Sequence, residues 1–218
     1  MKKIFTSIIS VLLISSMLFM GCGAKRVDAK TAADCLINTL VLNKDAAEFK
    51  KVFNEDASGY EKAFKDSFIS SFKRVFTASL GISSSKELDT YIDNLYNAFK
   101  KKVTSGAKYK VTVKNETKDS ASILIEVNGI DMKQVQSNLQ KELKAAATAD
   151  PSLATDKKKL ANKTVELYAD VVNKANLTST AQEVTINLEA SNKKSCWKIS
   201  NAKTAVSHLI KAFYLGQQ

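Results

Sequence analysis

Three thiols and one imidazole are the side chains of this sequence best suited to chemistry: Cys22, Cys35, Cys196 and His208. A thiolate can be alkylated, oxidised to a disulfide or used as a metal ligand. Cys22 ends an apolar run as Phe19-Met20-Gly21-Cys22. Cys35 stands beside Leu36 and Ile37 on an expected helix, and Cys196 on an expected strand, facing away from Trp197 and Ile199. Two half-buried thiols are the expectation; the alternative is a Cys35–Cys196 disulfide, which would close a long loop and contribute several kcal/mol, on the order of 3–5. His208 lies beside Leu209 and Ile210, with no cysteine or acid at ligand spacing. A zinc site or a serine–histidine pair would need partners brought in by folding. Asp89 and Asp93 share an expected solvated helix face with Lys86, so they do not read as paired hydrolytic carboxylates. Glycine-rich phosphate loops, calcium loops and CxxC pairs are absent from the sequence. No catalytic residue, metal or cofactor is expected.

The residues before Cys22 explain its chemistry. Lys2 and Lys3 form a basic head, and Ile4 to Met20 are apolar apart from Thr6, Ser7, Ser10, Ser15 and Ser16. That is the layout of an export signal. As a helix these 17 positions would reach only about 25 Å at ~1.5 Å per residue, short of a ~30 Å hydrocarbon core. Gly21-Cys22 resembles the end of a bacterial lipobox, although the third residue before the cysteine is Phe19 and not the usual Leu. The resemblance implies a diacylglyceryl thioether on Cys22, cleavage after Gly21 and attachment to the extracytoplasmic face of the cell membrane. On that reading residues 1–21 are a removed signal peptide, 22–28 a lipidated tether and 29–218 one globular domain.

Removing residues 1–21 takes away Lys2 and Lys3 and no acid, so a formal charge of +11 becomes +9. The charge is carried by lysine, with Arg26 and Arg74 as the two arginines. Nucleic-acid readers favour the bidentate arginine fork, so nucleic acid is not an expected partner. Lysine runs at 100–102 and 157–159 read as solvated helix faces. The functional alternative is attraction to anionic lipid headgroups or acidic wall polymers. Seven glycines and Pro151 are few chain breakers, which favours long helices.

Apolar spacings of three and four predict helices over residues 29–42, around Phe49 and Val52, from Ser58 to Leu80, and from Ser84 to Val103. Two-residue alternation at Tyr109, Val111, Val113 and at Ile123, Ile125, Val127 predicts a hairpin. Asp131 opens another helix, Asp150-Pro151 interrupts it, and a further helix runs to about Lys174. Val184, Ile186 and Leu188 pair with Trp197 and Ile199 as a second hairpin, and Asn201 is read as the cap of a last helix. The fold class is α+β: a helix-rich domain whose two hairpins form a four-stranded antiparallel sheet covered by helices. Phe64, Phe68, Phe72 and Phe76 recur every fourth residue, with Tyr91, Tyr96 and Phe99 on the next helix. Such a row is ordinary core spacing; the functional alternative is an apolar groove lined by Phe68, Phe72, Phe76 and Tyr96.

The opening helix pair around Asn43-Lys44-Asp45, with hairpins ending in Trp197-Lys198-Ile199-Ser200, is similar to small Gram-positive surface lipoproteins of uncharacterised function. Some of those have a cystatin-like or nuclear-transport-factor-like α+β domain. The resemblance transfers no catalytic residue. With no catalytic set visible, the expected function is a non-catalytic binding or scaffolding role at the cell envelope with an unknown protein partner. The alternatives are a carrier of a small amphiphilic ligand and, behind it, an envelope hydrolase.

Overall fold

The chain's α+β character follows from two sequence periods, and a computed structural model describing residues 26–192 and 195–217 shows how they are built together. The leader, Cys22, and Lys193-Lys194 of the second hairpin's turn lie outside the described residues. Helix α1 spans Ala29–Leu40, α2 Ala46–Phe53, α3 Tyr60–Leu80 and α4 Lys86–Gly106. Strands β1 (Lys108–Glu116) and β2 (Ser120–Asn128) come after them. Next are α5 (Met132–Ala149), a 3-10 turn (Pro151–Ala154) and α6 (Lys157–Lys174). Strands β3 (Gln182–Ala190) and β4 (Trp197–Ile199) precede α7 (Ala202–Leu215).

The strands form one antiparallel sheet in the order β1-β2-β3-β4. The hairpins join through β2 and β3, with Ile123 opposite Ile186 and Ile125 opposite Val184. Alternation then puts Ile123, Ile125, Val127, Val184, Ile186, Leu188, Trp197 and Ile199 on one buried face. β1 carries a bulge between Val113 and Asn115. It is an edge strand, and its exposed Lys108, Lys110 and Lys114 discourage pairing with another chain.

The described residues fall into two compact units that the backbone visits in turn. One holds residues 26–63, 107–129 and 178–217. In it α1 lies on β1 and β2, while α7 lies on β2 and β3. α1 is placed by its cap: the Asp28 carboxylate accepts from Thr31 N–H at 2.8 Å, and Ala29, Ala32, Ala33, Leu36 and Ile37 are fully buried. Tyr109 meets Phe213 edge-on, ring centres 5.9 Å apart. Gly129 succeeds β2 against the carbonyls of Ala212 and Phe213, an approach that leaves no room for a Cβ.

The other unit holds residues 64–106 and 130–177. Here α6 packs on α4 and α5. Asp131 starts α5 by accepting from Lys133 and Gln134 N–H, both at 3.1 Å. The Gln134 side chain does not close a reciprocal capping box; it accepts Asn176 N–H at 2.7 Å instead. Asp156 caps α6 through Lys158 and Lys159 N–H. Within the Ser84-Ser85-Lys86-Glu87 start of α4 it is Ser85 that caps, accepting Leu88 N–H at 3.2 Å, while Ser84 donates to the Asp89 carboxylate at 2.8 Å. One sequence reading, Asn201 as a cap, needs correction. Asn201 precedes α7 without a side-chain cap bond; at φ 51° it is left-handed, and its carbonyl accepts Thr204 and Ala205 N–H.

Candidate functional site

The first described residues are held firmly, and the geometry of that hold is the most specific polar arrangement in the sheet unit. Trp197 is 1% exposed at the start of β4, and its indole N–H donates to the Val27 carbonyl at 2.8 Å. The Arg26 guanidinium lies over the same ring, 4.5 Å from its centre. A cation so placed contributes ~0.5–2 kcal/mol depending on its desolvation. Arg26 Nη1 also donates to the Lys118 carbonyl at 2.6 Å, in the β1–β2 turn. One residue past the Asp28 cap, Ala29 N–H donates to Glu116 Oε1 at 3.1 Å. The Thr31 backbone N–H holds the Asp28 carboxyl below its usual range, so the cap is ionised at neutral pH.

The turn that receives Arg26 is itself ordered. Thr117 N–H donates to the Ser120 carbonyl, and Thr117 Oγ1 accepts from Ser120 N–H at 3.0 Å. Ala190 N–H donates to the Asp119 carbonyl at 2.8 Å, tying the end of β3 to this turn. Residues 26–28 are thereby fixed at the turn end of the sheet. No local pattern announces this clamp. The sole tryptophan and one of two arginines meet across 171 positions of sequence.

Cys35 and Cys196 are both free and buried, so the structure carries no bridge between them. Cys196 precedes β4 and does not lie within it, with its sulfur 3.4 Å from the Lys51 carbonyl it donates to. Burial pushes the Cys35 thiol up, with a further push from Glu48 and Asp45 against a hydrogen bond with Thr39. Raised thiols are poor nucleophiles at neutral pH.

The phenylalanine row forms a contiguous ring stack in the helical unit. Phe68 and Phe72 stack at 6.1 Å, and Phe72 and Phe76 at 5.5 Å. Tyr96 meets Phe68 edge-on at 5.5 Å, and Tyr168 lies 6.1 Å from Phe72 and 5.8 Å from Phe99. Phe68, Phe72 and Tyr96 are each 3% exposed or less, whereas Phe76 is half-buried at the end of the stack. Burial drives the Tyr168 hydroxyl far above its ordinary value. A shallow cleft of about 540 Å³ runs along α3, lined by Asp66, Ile69, Ser70, Lys73, Arg74 and Thr77.

His208 is exposed on α7. Among the described residues no group of three His, Cys, Asp or Glu side chains is arranged to hold a metal. Asp89 and Asp93 are engaged by lysines rather than by each other: Lys73 reaches Asp89 at 2.7 Å and Lys65 reaches Asp93 at 2.6 Å. The Lys73 contact holds the Asp89 carboxyl below its usual range. Of the lysine runs, Lys157, Lys158 and Lys159 are exposed, and Lys159 is paired with Asp150 at 2.6 Å. Among the described residues no helix is long and apolar enough to cross a membrane.

Residues 19–214 match the model of a domain of unknown function, DUF5105. Among solved structures, the chain is similar to a putative lipoprotein, ycdA, from Bacillus subtilis, with a TM-score of 0.65 at 17% identity. That likeness covers 87% of this chain and 56% of the other, so this chain spans about half of its neighbour's length. At that identity the likeness establishes the fold alone. No curated protein matches the chain.

Proposed function

We propose that this chain, which belongs to the DUF5105 family, is a lipid-anchored protein of the extracytoplasmic face of the cell membrane, with a binding or scaffolding role and no catalysis. The observation that carries this reading is in the sequence: two lysines, an apolar run of 17 residues and Gly21-Cys22, four positions before Arg26. A diacylglyceryl thioether on Cys22 anchors the domain through two or more acyl chains, at ~0.8 kcal/mol per buried CH₂, where one chain gives marginal binding. The family match includes Gly21 and Cys22. The solved neighbour, described as a putative lipoprotein, supports the same reading. The partners are the membrane, through the lipid, and an envelope protein. The exposed lysines attract anionic headgroups or acidic wall polymers.

The test is fatty-acid labelling in cells together with intact mass. The wild-type protein incorporates label and begins at Cys22, while Cys22→Ala takes up none. Equal labelling of the two, or a purified chain retaining residues 1–21 unmodified, overturns the reading.

A second reading, a carrier of a small amphiphilic ligand, draws on one observation. The ring stack of Phe68, Phe72 and Tyr96 ends at half-buried Phe76, which gives an apolar ligand a point of first contact. Bound mass in the native purified protein supports that reading, and its absence in mild conditions counts against it.

A further inference from the structure

We infer that the sheet end carrying the 117–119 turn faces the bilayer, and that Arg26 to Asp28 act as a fixed joint and not as a swivel. The inference rests on the lipid-anchor reading and adds an orientation to it. Three residues, Gly23, Ala24 and Lys25, separate the acceptor Cys22 from Arg26. Four Cα steps at ~3.6 Å limit that distance to about 14 Å, so Arg26 stays near the headgroup layer whatever path the tether takes. A tether this short restrains distance alone. Orientation comes from the clamp on residues 26–28.

Arg26 is fixed by two contacts, one to the Trp197 ring at the start of β4 and one to the Lys118 carbonyl in the β1–β2 turn. Val27 is fixed by the Trp197 indole, and the helix start by Glu116. Hydrogen bonds to β4, to the β1–β2 turn and to the last residue of β1 cannot all be kept while the sheet pivots about residue 26. The point nearest the lipid is therefore the turn, and the strands run away from it. Lys118 in the turn and Lys114 at the bulge carry exposed side chains on this end, suited to anionic headgroups. Glu116, between them, is turned to Ala29 N–H, and exposed Asp119 in the turn offsets one of the two positive charges, so the attraction is local to the Lys114 and Lys118 side chains. The partner that fits this end is a membrane surface containing anionic lipid. Lys108, paired with Asn128, marks the other end of the hairpin. Nine-residue strands place it ~27 Å away at 3.4 Å per residue.

The test uses the lipid-modified protein in vesicles of phosphatidylcholine and phosphatidylglycerol that contain a headgroup nitroxide lipid. A fluorophore is attached at Lys118→Cys or Lys108→Cys, with the parent protein giving the background from buried Cys35 and Cys196. Quenching several-fold stronger at 118 than at 108 is expected, and Arg26→Ala combined with Trp197→Phe, which removes the contacts of both Arg26 and Val27, should bring that ratio toward one with flotation unchanged. Equal quenching at the two positions in a protein that floats with the vesicles overturns the orientation and leaves the anchor standing. A ratio that survives the double substitution in a protein that still melts cooperatively overturns the joint. A protein that fails to float overturns the anchor, and the orientation falls with it.

Discussion

Gly129→Ala tests how the sheet unit is closed. A Cβ built on Gly129 would lie 1.9 Å from the Ala212 carbonyl oxygen and 2.7 Å from that of Phe213. Bringing the first contact to the 3.0 Å floor that Cβ atoms respect takes a displacement of about 1.1 Å. Both opposing atoms are backbone, so no rotamer change provides it. Moving α7 would drag Ala212 and Phe213, both fully buried, off the sheet. Moving residue 129 would strain its carbonyl's bond from Thr178 N–H at 2.8 Å and the neighbouring Asn128 amide bond to the Thr178 carbonyl. Overpacking by one methyl costs ~1–3 kcal/mol where side chains can yield. Here the upper end applies, less the ~0.4–1 kcal/mol that alanine removes from unfolded-chain entropy. A net loss of ~2–2.6 kcal/mol corresponds to a Tm lower by roughly 4–10 °C for a chain of this size. Trp197, the sole tryptophan and 1% exposed, reports the melt by fluorescence from within the same unit. Gly106→Ala is the control, since nothing lies within 4 Å of a Cβ there; it should be neutral or slightly stabilising. A Gly129→Ala melt within a degree or two of wild type, or an equal loss at Gly106, refutes the close-approach argument.

Phe72→Ala removes a ring in contact with Phe68, Phe76 and Tyr168 and should cost ~3–5 kcal/mol, a Tm lower by about 6–20 °C. Loss of a bound amphiphile with an unchanged melt would instead mark a ligand groove. Two thiols should titrate in the denatured, lipidated protein without reductant, and neither should label quickly in the native state, because Cys35 and Cys196 are free and buried; a count of zero means a bridge. Asp28, Asp89 and Asp150 are held below their usual range by the Thr31 N–H, Lys73 and Lys159 respectively. Their native forms bind fewer protons than the unfolded chain, so this stability is present above about pH 4 and is lost as pH falls through the lower folded values. Tm should be level from pH 8 to 5 and drop below about 4; a rise on acidification contradicts the assignment. Glu55 works the other way, since burial raises its carboxyl against the pull of Lys198. Its contribution is present at low pH and lost as pH rises, so Glu55→Gln should raise Tm at pH 7 and steepen the acid loss.

Local patterns were readable because their partners are three, four or two residues away. Asp131 at the start of α5, the rings from Phe64 to Phe76 and the alternation at Ile123, Ile125 and Val127 each carry their own signal. Which of Ser84 and Ser85 caps α4 is not a purely local matter, since Ser84 donates to the Asp89 carboxylate that Lys73 also holds from α3. The sequence alone establishes the order of helices and hairpins, the lysine-rich charge and an apolar run that ends at Cys22, since all of these are neighbour relations along the chain. Which strands adjoin, why residue 129 must be glycine, and where the clamp on Arg26 sits were decided only by the tertiary structure. Those depend on Ile123 meeting Ile186, on α7 crossing residue 129 and on Trp197 returning beneath Val27. Contacts between residues so far apart leave no periodic trace, because nothing in a short window of sequence specifies what arrives from the other end of the chain.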